Sequence, residues 1–100
     1  MEMKYGVFES KEYTRGRNRL SRRGFDLSIL DNVVNLLASG ERLPREYKDH
    51  PLRGDKMGRR ECHVDAKPNG DWLLVYKKIE NALLLYLVGT GTHVELGLDK

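Results

Sequence analysis

The side chains of this chain best suited to moving protons are its three histidines, His50, His63 and His93. Each lies beside a predicted turn or strand end, and Asp71 with Trp72 opens the most apolar segment. Histidine changes charge near neutral pH, so imidazoles and a carboxylate in one pocket can perform general acid–base catalysis. We expect His50, His63, Asp71 and His93 to form such a catalytic site.

RNA is a suitable substrate for this site, because the ribose 2′-hydroxyl supplies the nucleophile and the protein need only move protons. Arg53, Lys56 and Arg60 lie near the histidines in the sequence and are expected to neutralise charge on the phosphate. Trp72 is expected to stack on a base, a contact worth roughly 1–3 kcal/mol in single-stranded binding. The same tryptophan also fits a core position.

The charge distribution is more informative than the net charge of +3. Residues 11–23 hold six Lys and Arg side chains against one acidic residue, Glu12. Such a cluster favours a phosphate backbone or an acidic protein partner. A solvated helix face explains it equally well.

Other chemistries have less support. Three histidines and an aspartate resemble a zinc ligand set, but no pair has the short spacing of a ligand motif such as His-x-x-x-His. No motif supports a serine or cysteine nucleophile. Cys62 is the one cysteine, so no internal disulfide is possible, and we expect it to be a small buried hydrophobe. We therefore expect no cofactor.

The first half of the chain predicts one strand and two helices. A short strand over 4–9 precedes a helix over 11–23, which Ser10 is placed to cap. Asp26 is a plausible cap for the second helix, whose apolar residues recur at helical spacing as far as Leu37. We interpret the charged residues 44–58 as a loop.

The second half of the chain predicts strands joined by hairpins. Strand patterns begin at Arg59, Trp72 and Leu83, and turn signals lie at 68–70 and 80–81. The prediction is one α+β domain over 1–100, with an antiparallel sheet of about four strands and the two helices on one face. With no signal-like or membrane-spanning run, we expect a cytoplasmic protein.

Together these segments resemble the YafQ-type branch of the RelE/ParE toxin superfamily over about residues 3–98. No single motif would suffice, but their combination and order are specific. The motifs are Leu-Pro at 43–44, Tyr-Lys-Asp-His-Pro-Leu at 47–52, Gly-Arg-Arg-Glu-Cys-His-Val at 58–64, Asp-Trp-Leu-Leu-Val-Tyr at 71–76 and Gly-Thr-His at 91–93.

The resemblance implies a RelE-like fold and the toxin of a bacterial type II toxin–antitoxin system. Such toxins cleave messenger RNA, typically in the ribosomal A site, by metal-independent attack of the 2′-hydroxyl. The family's catalytic histidines and aspartate correspond to His50, His63, Asp71 and His93, and its tryptophan to Trp72. His93 would lead as general acid, His50 or Asp71 would be the base, and His63 would orient the phosphate.

The implied partners are mRNA, the 70S ribosome and a small antitoxin with a ribbon-helix-helix part. The toxin would contact operator DNA only through that antitoxin.

The chain departs from the family pattern at two positions. Gly97 replaces an aromatic residue four positions after the last histidine, and Gly89 replaces an arginine before Thr-Gly-Thr-His. A ParE-like toxin that poisons gyrase by binding is the main rival, and it has no need of the histidine set.

Overall fold

The computed structural model describes residues 2–55, 57–66 and 70–98. Two helices precede most of the strands, as predicted: α1 spans Lys11–Arg22 and α2 spans Leu27–Ala38. The Ser10 hydroxyl accepts a hydrogen bond from the Tyr13 amide and the Asp26 carboxylate accepts one from Ser28, so both predicted caps are confirmed.

The five strands form one mixed sheet in the order β1-β5-β4-β3-β2. Their bounds are β1 Gly6–Glu9, β2 His50–Pro51, β3 Arg60–His63, β4 Leu73–Ile79 and β5 Leu84–Gly91. The α+β class is confirmed, but the prediction of an antiparallel sheet of about four strands is wrong. β1 pairs in parallel with β5, and β2 is a further edge strand.

Both differences from the prediction, the extra strand β2 and the parallel pairing of β1, have a physical reason. β2 has two residues, one of them proline, and it lies within the segment that we interpreted as a loop. A short turn of 3₁₀ helix, Arg45–Tyr47, precedes it. The parallel pairing of β1 depends on the crossover through both helices, which residue patterns do not specify. The turn predicted at 68–70 falls mostly outside the described residues.

The core lies between the two helices and one face of the sheet. Both helices contribute to one buried cluster, through side chains such as Leu20 and Leu37. The sheet contributes alternate residues of its strands, among them Cys62, Leu74 and Leu87. This arrangement confirms two helices on one face and leaves the opposite face for other contacts.

Helix α1 lies close against β5, near the end of that strand. The Ser10 hydroxyl donates a hydrogen bond to the Val88 carbonyl at 2.8 Å. A Cβ atom at Gly16 would lie 2.2 Å from the Thr90 carbonyl oxygen. The helix backbone therefore approaches β5 at a distance that only glycine permits. No helix in the described part of the chain is long and apolar enough to cross a membrane.

Candidate active site

The strand register places His50 in a row of residues that crosses four strands. His50 on β2 pairs with Glu61 on β3, Glu61 with Val75 on β4, and Val75 with Gly89 on β5. Paired residues share a face of a sheet, and this face is the one turned away from the helices. We call these four residues the His50 row.

A second row lies two residues further along the same face. His63 pairs with Leu73, and Leu73 pairs with Gly91 at the end of β5. The chain then turns, so that His93 follows directly beyond this His63 row. The register therefore places His50 and His63 on one face, and the ring of His93 lies close to that of His63.

Asp71 binds His93 through two contacts. Its Oδ1 accepts a hydrogen bond from the His93 backbone amide at 3.0 Å and also contacts the imidazole Nδ1. These hydrogen bonds, the backbone one first, hold the pKa of Asp71 below its ordinary value of 3.8. A carboxylate on Nδ1 fixes the orientation of the ring and leaves Nε2 free to exchange a proton with a substrate.

His63 lies next to this pair. The His63 and His93 rings are 6.2 Å apart between centroids and are inclined at 66°. The Nδ1 atom of His63 is buried and has no hydrogen-bond partner among the described residues. A buried polar atom without a partner is unfavourable, and this distinguishes His63 from His50 and His93, whose Nδ1 atoms both have a partner.

His50 lies against Glu61. Its Nδ1 lies 2.9 Å from the Pro51 carbonyl oxygen. Its Nε2 lies 3.0 Å from Oε1 of Glu61. A carboxylate at this distance can orient the imidazole and can accept a hydrogen bond from Nε2 when that nitrogen carries a proton.

Glu61 is the functional residue that sequence reasoning missed. It is only 9% exposed, and its Oε2 has no partner in the described part of the chain. The alternation of β3 already puts Glu61 and His63 on one face. The missing information was the pairing of β3 with β2, which brings His50 to the carboxylate.

The residues predicted to contact RNA do not all lie beside the histidines. Trp72 is 5% exposed, its indole N–H donates to the Thr90 hydroxyl at 3.0 Å, and its ring meets Phe25 edge-on. Because the ring is part of the core, we do not propose it as a platform for a base. The apolar run that it opens is a sufficient reason for its burial.

The three predicted cations also differ in position. Arg60 lies on the helix side of the sheet, where its Nε donates to Asp49 at 3.2 Å, so it does not join the histidines. Arg53 is exposed in the turn after β2. Lys56 lies outside the described residues.

The geometry of the described residues gives little support to a metal site or to a cysteine nucleophile. They contain no group of three or more His, Cys, Asp or Glu side chains that could hold a metal ion. Burial raises the pKa of the Cys62 thiol far above its ordinary value, so the thiol is not a nucleophile. The groups placed to react are therefore the side chains of His50, Glu61 and His63 together with the Asp71–His93 pair.

The fold and site define a small α+β protein with a histidine–carboxylate surface suited to proton transfer. Residues 5–97 match the family described as "Bacterial toxin of type II toxin-antitoxin system, YafQ". The mRNA interferase toxin YafQ of Escherichia coli K12 is 36% identical over 88 residues, which cover 87% of this chain and 89% of that protein.

Solved structures agree with this match. A metal-bound toxin from Helicobacter pylori superimposes with a TM-score of 0.83 at 41% identity, covering 92% of this chain and 98% of that one. YafQ in the E. coli DinJ–YafQ toxin–antitoxin complex gives 0.81 at 35% identity, covering 94% and 98%. The chain belongs to the YafQ family of type II toxin–antitoxin toxins, which confirms the resemblance.

Proposed function

We propose that this toxin is an mRNA interferase, an endoribonuclease that inhibits translation by cleaving messenger RNA. The observation that carries the proposal is the Asp71–His93 pair, set beside His63 on the sheet face that also carries His50 and Glu61. The family supports the same activity, since curated relatives are named mRNA interferase toxins.

His93 is the general acid of the proposed reaction. Asp71 binds its Nδ1, which keeps Nε2 directed away from the carboxylate and free to donate. As the bond between phosphorus and the 5′-oxygen breaks, Nε2 gives its proton to that oxygen. Asp71 positions the acid and is therefore a poorer candidate for the base.

The base is His50, whose Nε2 accepts the proton of the ribose 2′-hydroxyl and then donates a hydrogen bond to the Glu61 carboxylate. The 2′-oxygen attacks phosphorus, the 5′-oxygen departs, and the products are a 2′,3′-cyclic phosphate and a 5′-hydroxyl end. Two protons move and no oxidant or water is consumed. His63 donates to a phosphate oxygen and stabilises the charge that builds in the transition state.

The partners of the toxin follow from its family. The E. coli relative forms a complex with DinJ, and we propose a small antitoxin of the ribbon-helix-helix type for this chain. Contact with operator DNA would then occur only through that antitoxin. The substrate is mRNA in the 70S ribosome, which places the activity in the cytoplasm.

Primer extension on mRNA from cells expressing the toxin tests the activity. We expect discrete cuts that depend on translation and that disappear in the His93→Ala variant. Intact message together with DNA damage would instead support a gyrase poison of the ParE kind. A toxin whose cutting is abolished by EDTA and restored by a divalent ion would be a metal-dependent hydrolase, contrary to the proposal.

A further inference from the structure

The strand that carries His50 has few backbone contacts to hold it. β2 contains only His50 and Pro51, which pair with Glu61 and Arg60 of β3. It lies at the edge of the sheet, and proline has no N–H to donate to a neighbouring strand. Further contacts are therefore needed to fix the imidazole of His50 beside Glu61.

The residue before this strand, Asp49, supplies two such contacts. Its Oδ1 accepts a hydrogen bond from the Tyr76 hydroxyl at 2.5 Å and another from the Arg60 Nε at 3.2 Å. Tyr76 on β4 and Arg60 on β3 are themselves paired in the sheet. We call the side chains of Asp49, Arg60 and Tyr76 the Asp49 network.

The Asp49 network is largely shielded from water. Tyr76 is only 1% exposed, and the side chain of Asp49 is 23% exposed. Burial first, and then the hydrogen bond to Asp49, raise the pKa of Tyr76 above its ordinary value of 10.0. The phenol therefore keeps its proton near neutral pH and remains a donor to Asp49.

The Asp49 network and the His50 ring lie on opposite sides of the sheet. The Tyr76 ring belongs to the core on the helix side, whereas the His50 Nε2 lies 3.0 Å from Glu61 on the other face. Successive side chains of an extended segment point to opposite faces. Because Asp49 is bound on one side, His50 is directed to the other, and the network itself does not touch the reacting groups.

The chain that leads into Asp49 has an unusual conformation. Lys48 has a φ of 50°, in the left-handed region that residues other than glycine rarely adopt. Its amide donates to the Arg45 carbonyl at 2.9 Å and closes a tight turn. Such a conformation persists only where the surrounding contacts hold it, and the Asp49 network lies directly after this turn.

We propose that Asp49 is a positioning residue, which holds the start of β2 on the helix side of the sheet so that His50 is presented on the active face. Arg60 and Tyr76 act through Asp49. The inference rests on the proposed function, since it takes His50 as the base of the cleavage reaction.

Kinetics of Asp49→Ala on translating ribosomes test this role. We expect kcat to fall about tenfold or more, because a small misplacement of a catalytic group is enough to slow the reaction. KM should change less than about twofold, because the Asp49 network does not lie on the active face. A raised KM with an unchanged kcat would contradict the proposal.

A double variant separates positioning from a general loss of structure. When Asp49→Ala is added to His50→Ala, no imidazole is left to position, so the residual cleavage should fall less than about twofold further. An equal loss in the wild-type and His50→Ala backgrounds would mean that Asp49 only supports the fold, and it would overturn the proposal.

NMR spectra of the imidazole rings give a readout that needs no cleavage. The His50 signals are assigned from their loss in His50→Ala. We expect Asp49→Ala to shift them and to leave the rings of His63 and His93 unchanged. Tyr76→Phe keeps the aromatic ring in the core and removes one donor to Asp49, so it should shift the same His50 signals by less. Unchanged His50 signals in both variants would overturn the proposal.

Asp55→Ala is the matched control. It removes a carboxylate from the loop after β2 that binds Arg59 at 2.8 Å, but this pair does not include a neighbour of His50. Stability should fall, while kcat stays within about twofold of the wild type and the His50 signals do not move. His50 signals that shift equally in Asp49→Ala and Asp55→Ala would contradict a specific role for Asp49.

The two proposals fail in different ways. A toxin that cuts mRNA, but whose His50 ring is unaffected by loss of the Asp49 network, overturns the positioning role and leaves the nuclease standing. A toxin whose His50 ring shifts as expected, but which never cleaves message, overturns the nuclease.

Discussion

Asp71 binds His93 at both its backbone amide and its imidazole, although the two residues are 22 positions apart. One carboxylate thereby fixes both the path of the chain after β5 and the orientation of the ring. We expect Asp71→Asn to lower the cleavage rate on ribosomes by about 10²-fold or more, because the ring loses the carboxylate that fixes its orientation.

Single-turnover cleavage by Asp71→Asn, His93→Ala and the double variant measures this coupling. Residues that act as one unit lose activity non-additively, so the double variant should be little worse than His93→Ala. Asp31→Asn, which changes a carboxylate on α2 in a surface pair with Arg17, is the control. Full activity in Asp71→Asn would refute the assignment.

Glu61→Gln is expected to separate activity from stability. The wild-type carboxylate is nearly buried with one oxygen unpaired among the described residues, and an ionised group in that setting is unfavourable. The neutral amide should therefore leave the free energy of unfolding unchanged or raise it. Cleavage should fall at least tenfold, because His50 loses the carboxylate that orients its imidazole. Urea unfolding and cleavage assays on one preparation measure both, and a large loss of stability would show that the carboxylate is structural.

Gly16→Ala should destabilise the protein, although alanine is normally the better helix former. The added Cβ would lie 2.2 Å from the Thr90 carbonyl oxygen, so α1 must move away from β5. Overpacking of this kind is unfavourable by about 1–3 kcal/mol. Urea unfolding measures this effect. Asn18→Ala, on the exposed side of α1, is the control and should not destabilise the protein. Equal stability of the two variants would contradict the close approach of α1 to β5.

Trp72→Phe distinguishes a core residue from a base platform. The variant loses the N–H donated to Thr90, so stability should fall by about 1–2 kcal/mol. RNA affinity and cleavage should stay within twofold of the wild type. Normal stability with a clear loss of RNA binding would instead support stacking of a base on the Trp72 ring.

Acid should destabilise the fold through three aspartates. Hydrogen bonds hold the pKa of Asp26, Asp55 and Asp71 below 3.8, the largest contributions coming from the Ser28 hydroxyl, the Arg59 side chain and the His93 backbone, respectively. A lowered folded-state pKa gives stability that is present above the unfolded pKa and is lost as pH falls through the folded value.

These three groups therefore contribute no slope between pH 5 and 7, and the loss begins near pH 4. Urea unfolding of the wild type and of Asp55→Asn from pH 3 to 6 tests this. The variant should be less stable at pH 6 and should show a shallower decline in acid. Parallel curves for the two proteins would contradict the role of the Asp55–Arg59 pair.

Local patterns predicted the helices well, because their information is local. Ser10 and Asp26 are caps, and the apolar spacing of α2 identifies its buried side. The strands of the β3-β4-β5 meander follow from apolar runs and turns. None of this needs knowledge of which strand lies beside which.

The missed features all depend on pairing between distant segments. Nothing in Val7 or Phe8 specifies β5 as a parallel neighbour. Glu61 becomes a candidate only when β2 brings His50 beside it. The motifs identified the histidines, and the strand register identified Glu61 as the carboxylate beside His50.

The position of β5 in the sheet has a consequence for synthesis of the toxin. It follows the other described strands along the chain, yet it lies between β1 and β4, and His93 follows it. A nascent chain that ends before β5 has β1 unpaired and no assembled acid. The active site is therefore assembled only after β5 has been synthesised and has paired with both of its neighbours.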